Sequence, residues 1–140
     1  MLGALRFRLG PRLTGAGIAL RWRMSDLPPL PWLDAQSALH VLRILQEVLT
    51  NIVKHGAASE ITVTTAVAQP PAGMEGKGVQ VCVQDNGRPF SPPPEASLPG
   101  RRGLANVRNR VSTLGAHCAW QPLQEGTSFT LWLPLVKHGT

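Results

Sequence analysis

The 140-residue sequence predicts an α+β two-layer sandwich, a mixed and mostly antiparallel sheet packed on helices. Three observations lead there. Segments of strand and helical period follow in the order strand, helix, strand, strand, long loop, helix, strand, strand. Only one full helix ever separates successive strands. The last two strands are close enough to pair as a hairpin. No internal repeat and no second domain is visible.

Each element has its own signal. Residues 1–16 carry Leu2, Leu5, Leu9 and Leu13 at helical spacing, but Gly10-Pro11 interrupts them, which leaves a remnant of an upstream helix and a turn. In "GIALRWR", Ile18, Leu20 and Trp22 alternate with Ala19, Arg21 and Arg23, as in a strand buried on one face. A proline-rich connection ends at Asp34, a suitable helix N-cap. From Ala35 to His55 the apolar stripe is Ala38, Val41, Leu42, Leu45, Val48, Leu49 and Ile52, and Gly56 suits the C-terminal cap. "SEITVTTAV" alternates Ile61, Val63 and Thr65, and "VQVCVQ" alternates Val79, Val81 and Val83, with a loose loop between them. After a long structureless segment, "GLANVRNRVSTLG" turns Leu104, Val107, Val111 and Leu114 inward and is capped by Gly115. "AHCAWQPL" and "TSFTLWLPL" form the hairpin through "QEG". The folded unit spans residues 17–136, with a tail at 137–140.

Composition narrows the function. Hydrophobic residues make up 43% and charged residues 16%, the balance of a globular protein. No apolar run approaches the roughly 18 residues that cross a bilayer, and the arginine-bearing N-terminus lacks the apolar core of a signal peptide. Cys82 and Cys118 both fall in strand patterns and read as a buried, reduced pair of a cytoplasmic protein, with a disulfide between them as the alternative. The net charge of +6 attracts phosphate in any form. The positive charge is scattered and aromatic residues are only 5%, which argues against a nucleic-acid platform.

The first long helix carries more than core packing requires. Arg43, Glu47, Asn51, Lys54 and His55 lie three or four residues apart and share one face. A solvated face accounts for most such stripes. Asn51 is the exception, because asparagine in mid-helix competes with the backbone for hydrogen bonds. Glu47, one turn earlier, adds a carboxylate. Few hard oxygen ligands, with positions left for water and phosphate, suit Mg²⁺ held jointly by protein and nucleotide.

Two further stretches fit a nucleotide. "DNG" at Asp85 to Gly87 follows a strand and has the composition of a hairpin turn. The chain that follows, with Pro89, Pro92, Pro93, Pro94 and Pro99, is no returning strand. Asp85 is thereby a strand-end carboxylate able to accept the amino group of adenine, with Gly87 leaving space for the base. Then "LPGRRGLANVRNRV" sets Gly100 and Gly103 around a helix start, where free N–H groups, the helix dipole, Arg101 and Arg102 favour an anion.

"LQEVLTNIVKHG" resembles the asparagine box of the histidine-kinase ATP-binding domain; "DNGRPF" and "GRRGLANVRNRVSTLGA" resemble its two glycine boxes, and "GTSFTLWLPL" its closing strand motif. The resemblance runs from Gly17 to Leu135, in the order of the GHKL ATPase superfamily and of its nitrate-sensor-like sensor kinases. It implies a Bergerat fold that binds ATP and Mg²⁺ and transfers the γ-phosphoryl group to a histidine. By position it implies Asn51 and Glu47 at the metal and the chemistry, Lys54 and His55 near phosphates or ribose, and Asp85 and Gly87 at adenine. It also implies Arg101, Arg102, Gly103 and Leu104 at the phosphate-closing loop and Thr127 on the adenine side. Pro89 stands where the first glycine box usually has its second glycine, and Arg101 where the second box has its first.

The phosphoacceptor helix of such kinases has no counterpart in this sequence. The resemblance therefore implies the catalytic domain of a longer, membrane-linked sensor, cytoplasmic in location. Its partners would be a histidine-bearing dimerisation domain of the same protein and a response regulator. The alternatives are an anti-sigma-type serine kinase of the same superfamily and a degenerate nucleotide-binding scaffold without turnover.

Overall fold

Asp34 starts the first helix as its composition suggests. Its Oδ1 accepts the Ser37 N–H at 2.7 Å and its carbonyl accepts the Ala38 N–H, the N-cap arrangement that satisfies free donors of the first turn. The computed structural model describes residues 15, 17–23, 30–55, 57–71, 76–89 and 102–135. The elements are β1 (Ala19–Arg23), α1 (Ala35–His55), β2 (Glu60–Ala68), β3 (Gly78–Asp85), α2 (Arg102–Thr113), β4 (His117–Pro122) and β5 (Thr127–Pro134). The expected remnant helix at 1–16, the cap at Gly56 and the tail at 137–140 lie wholly or mostly outside the described residues; the left-handed residue after α1 is Ala57, at φ 51°.

The five strands form one sheet in the order β1-β2-β3-β5-β4. β1 and β2 run parallel, Leu20 opposite Ile61, as the intervening helix requires. All other pairs are antiparallel: Val63 faces Val83, Val81 faces Leu131, and Trp120 faces Phe129. The mixed, mostly antiparallel sheet is the one expected.

Alternation assigns the two faces. Ile61, Val63, Val81, Val83, Phe129, Leu131 and Leu133 point to the helical layer and are at most 2% exposed. Against them α1 turns Val41, Ile44, Leu45, Val48 and Leu49, and α2 turns Val107, Val111 and Leu114. Ile44 is fully buried although it falls outside the stripe read from sequence, while Leu42 and Ile52 are half-buried. The buried side of α1 is centred on Ile44, Leu45 and Val48 rather than on the line through Leu42 and Ile52. α2 ends in a Schellman motif at Gly115, φ 66°, with Ala116 N–H bonded to the Val111 carbonyl and Gly115 N–H to that of Ser112.

Cys82 and Cys118 are free and half-buried. Cys82 stands opposite Thr130 and Cys118 opposite Leu131. Thr130 and Leu131 are neighbours on one strand, so the two thiols lie on opposite faces of the sheet, an arrangement that does not suit a bridge.

Candidate functional site

The sheet brings the ends of β3 and β5 together. Asp85 is the last residue of β3 and Thr127 the first of β5, and both are buried on the helical side. Asp85 Oδ1 accepts the Gly87 N–H at 2.8 Å, and the Thr127 N–H also bonds the carboxylate. The Thr127 hydroxyl donates to the Arg88 carbonyl at 3.4 Å. Asp85, Gly87, Arg88 and Thr127 thus form one connected cluster. Burial pushes the Asp85 carboxyl above its ordinary range, and the bonds from Gly87 and Thr127 offset part of that rise. A buried carboxylate steadied by two backbone donors is a fixed acceptor for an N–H donor brought by a ligand.

Two residues that sequence reasoning did not assign hold this cluster in place. Gly126, at φ 88°, lies against the turn after β3: a Cβ there would sit 1.9 Å from the Asp85 carbonyl oxygen and 2.9 Å from Asn86 Cα. Only glycine lets β5 enter so close. Asn86 ties the turn to the start of β2. Its Oδ1 accepts the N–H of Ser59 and of Glu60, both at 2.9 Å, and its Nδ2 donates to Ser59 Oγ at 3.0 Å. The Asn86 N–H adds a bond to the Glu60 carbonyl. Gly126 had a signal, a glycine directly before the strand; Asn86 had none, because its partners are 26 and 27 residues away.

The polar stripe of α1 runs along one line, and His40 extends it toward the N-terminus. Positions 40, 47 and 51 fall within about 40° of one another around the axis at 3.6 residues per turn. Glu47 and Asn51 are half-buried and Lys54 is exposed. His40 Nδ1 lies 2.9 Å from a guanidinium nitrogen of Arg110, in the last turn of α2. Arginine can only donate, so Nδ1 accepts. The line bearing Glu47 and Asn51 therefore borders the junction between α1 and α2 rather than open solvent. No hydrogen bond or ion pair among the described residues joins Glu47, Asn51 or Lys54 to the Asp85 cluster.

Of the phosphate-loop residues, Leu104 is 5% exposed and faces inward from α2. Arg101 lies outside the described residues, as do the side chains of His55, Arg102 and Gly103. Among the described residues no three His, Cys, Asp or Glu side chains gather as a metal centre, so a cation here would depend on the oxygens of Glu47 and Asn51 together with a ligand's own.

Residues 36–137 match the family of histidine kinase-, DNA gyrase B-, and HSP90-like ATPases. The chain is 36% identical over 115 residues to the nitrate/nitrite sensor protein NarQ of Escherichia coli, covering 81% of this chain and 18% of that protein. It is 32% identical over 101 residues to the nitrate/nitrite sensor protein NarX of the same organism, covering 72% and 15%. The chain therefore spans less than a fifth of these relatives. The fold is similar to that of the histidine kinase AdeS of Acinetobacter baumannii, with a TM-score of 0.73 at 13% identity over 97% of this chain and 64% of that one. It is equally similar to full-length ShkA in complex with AMPPNP, with a TM-score of 0.73 at 22% identity over 99% and 30%. With residues 36–137 inside the family, this chain belongs to the histidine kinase-, DNA gyrase B- and HSP90-like ATPases, as an ATP-binding domain of the sensor histidine kinase kind.

Proposed function

We propose that the chain binds Mg-ATP between α1, α2 and the ends of β3 and β5, and serves as the catalytic domain of a sensor histidine kinase. The observation that carries this is the Asp85 carboxylate, buried, held by the Gly87 and Thr127 N–H groups and ready for the amino group of adenine. Gly87, half-buried beside it, leaves room for the base. The match to an ATPase family and the likeness to a kinase bound to AMPPNP support the nucleotide.

The triphosphate would run from that cluster toward the second half of α1. The His40–Arg110 contact joins the first half of α1 to the last turn of α2, which supports a place for Asn51 and Lys54 toward the other end of α2. There the N-terminal N–H groups at Arg102, Gly103 and Leu104, with Arg101, would meet phosphate. Asn51 and Glu47 would hold Mg²⁺ through oxygen, and the ion would supply charge neutralisation on the phosphates. Lys54 and His55 would approach phosphate or ribose. Glu47 would orient the acceptor imidazole, whose nitrogen forms a bond to the γ-phosphorus as the bond to the bridging oxygen breaks and ADP leaves.

That imidazole would come from a dimerisation domain of the same protein, with a response regulator as the next phosphate acceptor. The parent protein would be membrane-linked with this domain, residues 17–136, in the cytoplasm. Among the described residues no helix is long and apolar enough to cross a membrane. Pro89 favours a second reading, a nucleotide-binding module without turnover, because proline fixes the backbone where the family pattern has glycine.

The test is calorimetric titration with a non-hydrolysable ATP analogue, with and without Mg²⁺, beside Asn51→Ala and Asp85→Asn. Magnesium-dependent binding lost in Asn51→Ala, and magnesium-independent weakening in Asp85→Asn, is the expected pattern. Binding indifferent to both variants would overturn the site. Phosphotransfer to an added histidine-bearing helix domain then separates the kinase from the silent module.

A further inference from the structure

β4 is an edge strand. It pairs with β5 alone in the described sheet, so alternate residues turn their N–H and C=O groups away from any strand partner. On its helical side Cys118 and Trp120 are half-buried, and α2 rises beside them. Between the two lies an open cleft of about 590 Å³, lined by Arg108, Val111, Ser112, Cys118 and Trp120 among others. Its floor is built on ring contacts: Trp120 packs on Phe129 with ring centroids 4.9 Å apart, and the Arg108 guanidinium lies over the Trp120 ring at 5.6 Å. Among the described residues that line the cleft none is Asp or Glu, although Arg108 and His117 both border it. The chain carries eight carboxylates against fourteen Lys and Arg, so the lining repeats the charge of the whole.

An edge strand beside a helix, with a groove between them, is the geometry in which an extended segment adds to a sheet. Its main chain would pair with β4, and every second side chain would enter the groove. The groove offers those side chains an apolar floor of Val111, Cys118 and Trp120 and the Arg108 cation, with no Asp or Glu among the described lining residues. We propose that the β4–α2 groove binds an extended acidic segment of a partner protein, added as a sixth strand, with Arg108 pairing one of its carboxylates. A second copy of this chain fits less well, since pairing β4 with β4 would bring two Arg108 and two His117 side chains to one seam. The groove is separate from the Asp85 cluster, where only the Pro122 end of β4 reaches Thr127.

The probe is an end-capped heptapeptide alternating glutamate and valine, titrated into the isotope-labelled full chain while backbone amides and tryptophan indoles are followed by NMR. Saturable shifts confined to β4, the Trp120 indole and the facing turn of α2 are expected, with binding in the high micromolar range. Arg108→Glu should weaken it about tenfold or more, and the milder Arg108→Gln by less, while both keep the native amide spectrum and bind the ATP analogue as the parent does. The same peptide with lysine for glutamate should not bind. Shifts elsewhere, no saturation at millimolar peptide, or equal binding of the lysine peptide would overturn the proposal. So would a concentration-dependent dimer whose seam maps to β4 and excludes the peptide, which would identify the occupant as a second copy.

Discussion

Replacing Gly126 by alanine tests whether the end of β5 sets the shape of the proposed adenine cluster. Two effects add at this position. The residue is held at φ 88°, where an L side chain is strained by about 1–2 kcal/mol. The new Cβ would also lie 1.9 Å from the Asp85 carbonyl oxygen and 2.5 Å from its carbon. Both obstacles are backbone of a paired strand, so a separation of ordinary contact requires β5 or the turn to retreat by roughly 1.5 Å. Overpacking of that kind costs about 1–3 kcal/mol. The sum is about 2–5 kcal/mol, a large part of the roughly 5–15 kcal/mol that holds a domain together. Gly17 provides the internal standard, since it has a similar φ of 77° and no atom within 4 Å of its Cβ position. Urea unfolding followed by tryptophan fluorescence should give Gly17→Ala a loss near 1 kcal/mol and Gly126→Ala a loss at least twice as large. Equal losses for the two variants would refute the steric argument. Because the retreat displaces Asp85 itself, Gly126→Ala should also weaken the ATP analogue under conditions where it remains folded.

Asn86→Ala removes three side-chain hydrogen bonds at an exposed position and should cost about 1–2 kcal/mol in urea unfolding; Asn86→Asp, which keeps both acceptor bonds, should cost less. Acidification should act on Asp85 in two opposite senses. Its folded carboxyl titrates above the unfolded one, so the stability lost by ionising it in the folded chain is recovered as pH falls through the raised value. Analogue binding, which uses the ionised form, should fail over the same range, and both dependences should vanish in Asp85→Asn. His40→Ala and Arg110→Ala should be non-additive by about 0.5–1.5 kcal/mol in a double-mutant cycle, reporting the contact between the two helices.

Much of this fold was legible because its signals are local. Asp34 caps the helix three residues ahead of the donor it satisfies. Val79, Val81 and Val83 alternate on a strand whose next inward position, Asp85, is polar yet buried. That departure from pattern at a strand end was the part of the candidate site most plainly written in the chain. Ile44 was not legible, since the width and centre of a helix's buried face depend on what the sheet and the neighbouring helix cover. Trp132 was not legible either. Alternation puts it on the outer face of the sheet, where a tryptophan should be exposed, but it is 3% exposed and lies over Gly78, whose missing side chain makes room for the ring.

Asn86 marks the boundary most clearly. "DNG" has the composition of a hairpin turn, and the chain does turn there, with Gly87 folded back on Asp85 through a side-chain bond. The reason for asparagine rather than another turn-former is non-local. One amide oxygen serves two backbone donors at the start of β2, and one amide nitrogen serves the Ser59 hydroxyl. Ile61, opposite Asp85 in the ladder, carries that restraint into the core. The turn is thus fixed from three sides: by β2 through Asn86, by β5 through Thr127 and Gly126, and by its own Asp85–Gly87 bond. In the proposed site, a carboxylate so restrained would lose little conformational freedom when the nucleotide arrives, and affinity would follow from that saving as much as from the hydrogen bond it makes. The sequence supplies the carboxylate proposed as the acceptor; the surrounding strands hold it in place.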